Sequence, residues 1–282
     1  MKLAIYQTSD LHGFVYPTNY VTEQKLGILK IGSYILEDEK NYDASLKVDC
    51  GDLIQGSVLT NYLSRKQIKS NPIIEGLEKI NYDAYVLGNH EFNYGLDYLT
   101  NSYKHISDKV INSNIKGLPF DTKPYKIFDF NGFKIGCIGI TTSFIPNWEN
   151  ENNIKNIEFL NPVDMYEKYE NELKEKADLI IVCYHGGFEK SLDEKMIPTE
   201  SLTKENQGSE LLEKFDSIDI ILSGHQHRSF ITKVNGVICS QPLNNGQTFT
   251  KIVLDTDTKE MSYELIDVST LKNNINQDLE KI

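Results

Sequence analysis

Val86-Leu-Gly-Asn-His-Glu-Phe-Asn-Tyr-Gly95 is the stretch whose reading decides the fold. The apolar run from Ala84 to Leu87 stops at Gly88, and the polar Asn89-His90-Glu91 follows at once. Beyond Gly95, Leu96, Leu99, Tyr103 and Ile106 recur at helical spacing. A strand that ends where an amide and an imidazole begin is how an α/β protein presents chemistry at the carboxyl edge of its sheet.

Four other places repeat this arrangement. Strand-like Leu3 to Thr8 runs into Ser9-Asp10-Leu11-His12-Gly13, and Ser45 to Cys50 runs into Gly51-Asp52. Farther on, Asp178 to Tyr184 ends at His185-Gly186-Gly187, and Ser217 to Ser223 ends at Gly224-His225-Gln226-His227. If strand geometry persists, the pairs Asp10/His12 and His225/His227, each at i and i+2, point to one face. Taken singly each block is weak. Asp10 reads equally as a capping aspartate, Asp52 as a turn aspartate bonding its own loop amides, and a lone histidine after a strand is usually structural. Together the five edges hold five of the six histidines. His105 lies late in a helix and is given no role.

The set Asp10, His12, Asp52, Asn89, His90, His185, His225 and His227 offers oxygen and imidazole donors with no thiolate. Such a set suits Mn, Fe, Zn, Co or Ni rather than a cysteine-bound zinc. Composition agrees with the need for cations. The 282-residue chain carries a formal charge of −12 and only two arginines, Arg65 and Arg228, so guanidinium clamps on an anion are few. The same charge excludes a broad face for polymeric nucleic acid. Cys50, Cys137, Cys183 and Cys239 stand far apart in apolar runs, the pattern of reduced, buried thiols and of a cytoplasmic protein. No run reaches the length of a membrane span, and no apolar export segment precedes the first strand as the sequence is written.

The rest of the chain supplies the frame. Leu26 to Glu39 reads as an amphipathic helix, and helices start at Asn71-Pro72 and Asn161-Pro162. Strands are expected at Lys109–Asn112, at Tyr125–Phe130 and Phe133–Ile140 as a hairpin across Asn131-Gly132, and in four β-rich segments between Phe230 and Val268. Asn147 to Asn156, with Trp148, reads as a mobile rim loop. Arg228 reads as an exposed surface arginine, and Phe188 and Tyr16 as core or rim packing beside the site. The expected class is α/β, with two stacked mixed sheets and helices on the outer faces. Residues 1–268 are expected to form one catalytic domain, and residues 269–282 read as a polar tail in the form of a frayed helix.

The order Asp-x-His, Gly-Asp-x-x-x-Gly, Gly-Asn-His-Glu, His-Gly-Gly and Gly-His-x-His resembles the calcineurin-like metallophosphoesterases. Within them it is similar to the catalytic domain of the bacterial 5′-nucleotidase and 2′,3′-cyclic-nucleotide phosphodiesterase family. The likeness runs from about residue 2 to about residue 267. It implies the four-layer sandwich of two mixed β-sheets flanked by helices, and two divalent metal ions, with manganese favoured among Mn, Fe and Zn. By the family pattern, Asp10, His12, Asp52 and His227 hold one metal and Asp52, Asn89, His185 and His225 the other, with Asp52 bridging. His90 then lies over the phosphate of a small-molecule phosphoester, with Asn93 orienting its ring. The 5′-nucleotidase pattern has an aspartate where Asn93 stands, so the cyclic-phosphodiesterase branch is favoured. An amide there orients His90 without supplying charge. The resemblance also implies a second domain that grips the nucleoside, which residues 1–282 do not contain. Two alternatives remain at this stage: a dimetal hydrolase of a non-nucleotide phosphodiester or sugar nucleotide, and a metal-stabilised module that binds a phospho-ligand without turnover.

Overall fold

The computed structural model describes residues 1–18, 22–66, 68–193, 195–272 and 275–279. In chain order the elements are β1 (Lys2–Thr8), α1 (Ile28–Asp38), β2 (Ala44–Asp49), α2 (Val58–Ser64), α3 (Pro72–Lys79), β3 (Ala84–Tyr85), α4 (Leu96–Tyr103), β4 (Ile115–Lys116), β5 (Tyr125–Phe130) and β6 (Phe133–Thr141). There follow β7 (Glu158–Phe159), α5 (Pro162–Lys176), β8 (Leu179–His185), α6 (Gly208–Lys214), β9 (Ile220–Ser223), β10 (Phe230–Val234), β11 (Val237–Gln241), β12 (Thr248–Asp255) and β13 (Met261–Asp267). One sheet has the order β13-β12-β1-β2-β3 and the other β10-β11-β9-β8-β6-β5; β4 and β7 form a small ladder of their own. Both large sheets are mixed. The pairs β1/β2, β2/β3, β6/β8, β8/β9 and β9/β11 are parallel, and β1/β12, β12/β13, β10/β11 and β5/β6 are antiparallel.

The two-residue period of the strands builds the layers. Leu3 and Ile5 of β1, and Leu46 and Val48 of β2, point inward to Cys137, Ile181, Cys183 and Leu222 of the facing sheet, in one buried cluster. The alternate residues Ala4 and Tyr6 pack outward on Ile28, Ile31 and Ile35 of α1 and on Ile73 and Leu77 of α3. On the other side, Ile180, Val182 and Tyr184 of β8 meet Val163, Tyr166 and Leu173 of α5 and Leu211 of α6. Every residue of β8 is therefore buried, as expected of a central parallel strand covered on both faces. The result is the expected helix, sheet, sheet, helix sandwich.

Local chemistry explains the helix starts. Asn71 and Asn161 each cap through the side-chain oxygen, with proline next in line. The short α2 is held by a reciprocal pair in which Ser57 Oγ accepts from Thr60 N and Thr60 Oγ1 accepts from Ser57 N. Its sequence shows little amphipathic signal, and the reading above missed it.

Three expectations are corrected. The opening strand was expected to reach Leu87, but its ladder ends at Tyr85; Val86 N still donates to Asp49 O at 2.9 Å before the chain turns at Gly88. Lys109–Asn112 is no regular strand. It makes single bridges, Val110 to Tyr85 and Ile111 to Lys123, because it crosses from one sheet to the other: Ile111 N donates to Tyr85 O, and Ser113 N to Gly139 O. The close pass of Ile111 over Gly139 leaves no room for a Cβ there. Finally, the described part of the tail is not a frayed helix. A 3₁₀ turn at Val268–Thr270 is followed by a strap in which Asn276 N donates to Ser33 Oγ and Leu279, buried, rests on α1 at Gly32. The expectation for residues 273–274 and 280–282 lies outside the described residues.

Candidate metal centre

The carboxyl ends of β1, β2, β8 and β9, together with the turn after β3, meet at one edge of the sandwich. The side chains do not converge by strand alternation, however. β1 ends at Thr8 and β9 at Ser223, so both i, i+2 pairs lie beyond the ladders. Asp10, His12, Asp52, His225 and His227 instead all have positive φ, between 49° and 73°. Left-handed backbone is uncommon for non-glycine residues and gathers at functional sites, held by its surroundings. The holding bonds are plain: Asp10 N donates to Gly51 O at 2.8 Å, His12 N to Asp52 O at 2.9 Å, and Asn245 N to Asp10 O at 2.8 Å. His225 N donates to both carboxylate oxygens of Asp10 at 3.1 Å.

Two clusters result. Asp10, His12 and His227 form one, and Asp52, His185 and His225 the other, with the candidate ligand atoms within 4.8 Å of one another in each. In the first, His12 Nε2 lies 3.2 Å from His227 Nε2, and His227 Nε2 lies 3.3 Å from Asp10 Oδ1. In the second, His185 Nε2 is 3.2 Å from Asp52 Oδ2 and 3.0 Å from Asn89 Oδ1, while His225 Nδ1 is 2.8 Å from the same Asn89 oxygen. All seven sequence-selected metal candidates are thus brought together.

The donor chemistry fits a pair of divalent cations. His12 Nδ1 faces the Gln55 carbonyl at 2.8 Å, and His185 Nδ1 faces the Cys50 carbonyl at 2.7 Å. Each carbonyl can only accept, so each Nδ1 carries a proton and each Nε2 is the atom turned inward, the one a metal would take in place of a proton. Glu205 Oε1 lies 3.1 Å from His225 Nε2 on the side away from Asn89 and can fix that ring in the same way. Asp10 and Asp52 are fully buried, and among the described residues only imidazoles form ion pairs with them. Burial opposes ionisation of Asp52, but the charge and hydrogen bond of His185, with His90 and His12 nearby, hold its carboxyl far below the usual range. Burial likewise lowers His185, and Asp52 outweighs it, raising the imidazole to about 10. In this arrangement protons occupy positions that cations can take.

Behind the ligands stands a residue that the sequence reading passed over. Glu91 is buried, and its carboxylate accepts from Asp52 N (2.8 Å), Leu53 N (2.6 Å), Ile54 N (3.3 Å) and Gly88 N (2.5 Å). It ties the Asp52 loop to the Asn89 turn. Its signal was present as the last letter of Gly-Asn-His-Glu, but a glutamate pointing away from the site carries no ligand signature. Gly51 and Gly88 are required where the two loops cross, since a Cβ on Gly51 would lie 2.5 Å from Gly88 N.

His90 sits at the mouth. Its backbone N donates to Asp52 Oδ1 at 2.7 Å, and its ring lies edge-on to His12 at 5.5 Å between centroids. His90 Nδ1 lies 2.6 Å from Asn93 Oδ1, and Asn93 Nδ2 donates to Glu149 Oε2 at 2.6 Å. A cavity of about 370 Å³ opens here, lined by His90, Asn93, Trp148, Glu149, Glu205 and His225 among others. Trp148 is 46% exposed, and its ring lies 5.4 Å from that of His225. The stretch expected as a mobile rim is therefore one wall of the site. It is stitched there by Asn153 Nδ2, which donates to Asn93 O at 3.0 Å and to Glu149 Oε1 at 2.9 Å.

Other expectations fall as follows. Phe188 is buried in the core, and Tyr16, 40% exposed, borders a separate cavity with Gly13 and Ser57. Arg228 is half-exposed and paired, with Nη2 3.6 Å from Glu200 and Nη1 donating to Phe188 O. His105 is exposed. Among the described residues no helix is long and apolar enough to cross a membrane.

Comparison with known proteins agrees with this geometry. The calcineurin-like phosphoesterase family profile matches residues 3–229. The trifunctional nucleotide phosphoesterase protein YfkN of Bacillus subtilis is 32% identical over 82% of this chain and 17% of its own length. A 2′,3′-cyclic-nucleotide 2′-phosphodiesterase/3′-nucleotidase of Haemophilus influenzae is 31% identical over 83% of this chain and 37% of its own. The chain thus spans well under two thirds of these relatives. Among solved structures, a Staphylococcus aureus protein assigned as a 5′-nucleotidase superposes with a TM-score of 0.90 at 36% identity, covering 100% of this chain and 57% of that one.

Proposed function

The chain belongs to the calcineurin-like phosphoesterase family, and we propose that it hydrolyses nucleotide-type phosphoesters, either 5′- or 3′-monoesters or 2′,3′-cyclic diesters, with two divalent metal ions. The observation that carries this reading is the pairing of two N/O clusters with an imidazole, His90, beside them and outside both. Asp10, His12 and His227 would hold one ion and Asn89, His185 and His225 the other, with Asp52 shared. Held there, the two ions would supply Lewis-acid chemistry for phosphoester hydrolysis, and the positive charge that an Arg-poor protein of formal charge −12 lacks.

The chain's own residues do the rest. Glu91 holds the Asp52 and Asn89 loops at a fixed separation. His90, with its backbone bonded to Asp52 and its ring outside both clusters, would donate a proton to the leaving oxygen. Trp148 gives a flat apolar wall to the leaving group. Manganese is the first metal to test, because the donors are carboxylate, amide and imidazole without thiolate. Residues 1–268 would act as the catalytic domain, with residues 269–282 as a tail. Four buried, unpaired cysteines support a reducing, cytoplasmic setting, checked by fractionating cells that express the protein.

The functional test is a substrate panel with added Mn: 5′-AMP, 3′-AMP, 2′,3′-cyclic AMP, a sugar nucleotide and a bis-aryl phosphate. Turnover of one or more of the first three, abolished by chelation, is the expected result. Turnover of the last two alone would move the substrate class. Binding of nucleotide without any hydrolysis would overturn the enzymatic reading.

A further inference from the structure

We propose that Glu149 is a positioning residue that selects the tautomer of His90 through Asn93. The proposal rests on the reading of His90 as the group beside the substrate phosphate. Where the related 5′-nucleotidase pattern places an aspartate against the ring, this chain has an amide, and an amide has a weakness that a carboxylate does not. Its oxygen and nitrogen are nearly the same size, so it can present either an acceptor or a donor to the imidazole. Presented as an acceptor it keeps the proton on Nδ1. Presented as a donor it faces a bare Nδ1 and disfavours the doubly protonated ring, the form that can give its Nε2 proton to a leaving oxygen. A swap of aspartate for asparagine beside a catalytic histidine is damaging in other enzymes for this reason.

Glu149 removes the ambiguity. An ionised carboxylate is acceptor-only, and Glu149 Oε2 lies 2.6 Å from Asn93 Nδ2. The amide NH₂ must therefore face Glu149, which turns Oδ1 toward His90 Nδ1 at 2.6 Å. Nδ1 carries one proton, and Nε2 is the ring atom left to take up a second and pass it to the phosphoester. Glu149 is itself fixed, since its Oε1 accepts from Asn150 N at 2.6 Å and Asn153 Nδ2 at 2.9 Å. Asn153 Nδ2 also reaches Asn93 O at 3.0 Å, which ties the two segments together. The negative charge that an aspartate would place directly on the ring stands one amide farther out. Sequence alone assigns Glu149 nothing, because it lies fifty-six residues from Asn93 in a polar stretch without a motif.

The test is a double-mutant cycle with a spectroscopic arm. Glu149→Gln keeps the shape but loses the acceptor-only character, so Asn93 is free to turn. We expect kcat to fall about 10-fold, the size of effect seen when an outer hydrogen-bond partner is lost, with KM and metal content little changed. Asn93→Asp presents an acceptor in either orientation, so in that background the same Glu149→Gln change should cost nothing, or gain activity by removing a like charge. A role confined to holding the wall together predicts an equal loss in both backgrounds, and that result would overturn the proposal. Glu149→Ala provides a second variant of the same cycle. The spectroscopic arm uses ¹⁵N-labelled histidine, with His90 assigned by its absence in His90→Ala. The wild-type ring should be protonated at Nδ1, and Glu149→Gln should shift it toward a mixture. An unmoved tautomer overturns the proposal even if activity falls. If the wild type hydrolyses no phosphoester but the tautomer shifts, the functional reading fails and the positioning role stands.

Discussion

The Nε2 atoms of His12 and His227 face each other at 3.2 Å, with the Asp10 carboxylate 3.3 Å from the second. Because the Gln55 carbonyl holds the His12 proton on Nδ1, the His12 lone pair points at its neighbour. Two facing ring nitrogens beside a buried carboxylate are favourable when a cation or proton lies among them. Metal analysis of the purified protein reconstituted with Mn is expected to give two ions per chain. His227→Ala should lower this toward one, and Asp52→Asn should weaken both sites and abolish turnover. A full complement of metal in Asp52→Asn would remove the shared-carboxylate assignment.

His90 lies outside both clusters, so its loss should separate chemistry from metal binding. His90→Ala is expected to retain both ions and to lose roughly 10²–10⁴ in kcat. Atomic absorption and kinetics on one preparation check both halves of this statement.

Glu91 accepts four backbone N–H groups, from Asp52, Leu53, Ile54 and Gly88. In Glu91→Gln an NH₂ is aimed at donors, and each lost charge-assisted bond costs about 1.5–3 kcal/mol. Denaturant unfolding should show a loss of at least one such bond. Metal affinity should fall by about 10–100-fold as the Asp52 loop loosens. Unchanged stability would mean that the carboxyl is not the brace described.

Trp148 stands at the cavity wall, 46% exposed. Its ring can stack on a leaving group without touching the reacting bond. Trp148→Ala is expected to raise KM by about 2–10-fold for a nucleotide, with kcat nearly unchanged. The effect should be smaller for a substrate whose leaving group has no ring.

Asp49, buried beneath the site, accepts from Thr8 Oγ1 and Gly51 N, and burial pushes its carboxyl well above the ordinary value. The folded protein therefore keeps this proton longer than the unfolded chain does. The stability it contributes is complete below the ordinary carboxylate range and is lost as pH rises through the elevated folded value. Asp49→Asn should accordingly stabilise the metal-free protein near pH 8, and much less near pH 4. Parallel urea titrations at the two pH values test the sign.

The legible part of the site was legible because its chemistry sits next to backbone punctuation. Gly88, Gly51 and Gly224 mark where a strand stops, and the histidine or acid beside each is the residue exposed by that stop. The illegible part consists of partners that become neighbours only across the fold. Glu205 reaches His225 from a loop twenty residues away, and Glu149 reaches Asn93 from another wall. Neither has a local pattern. The i, i+2 reasoning selected residues that do cluster, but through a geometry the molecule does not use, since Asp10, His12, His225 and His227 converge in left-handed turns beyond their strands.

From the sequence alone came the sandwich, through strands alternating with helices early in the chain and the β-rich segments between Phe230 and Val268, and also the identity of the metal candidates. These depend on period and punctuation, which are properties of neighbouring residues. Tertiary structure decided which donors share a cluster, which ring nitrogen of His12 and His185 faces inward, and that a glutamate stands behind Asn93. Those are questions of distance and hydrogen-bond direction between segments up to about two hundred residues apart, and a chain acquires such distances only when its sheets pack.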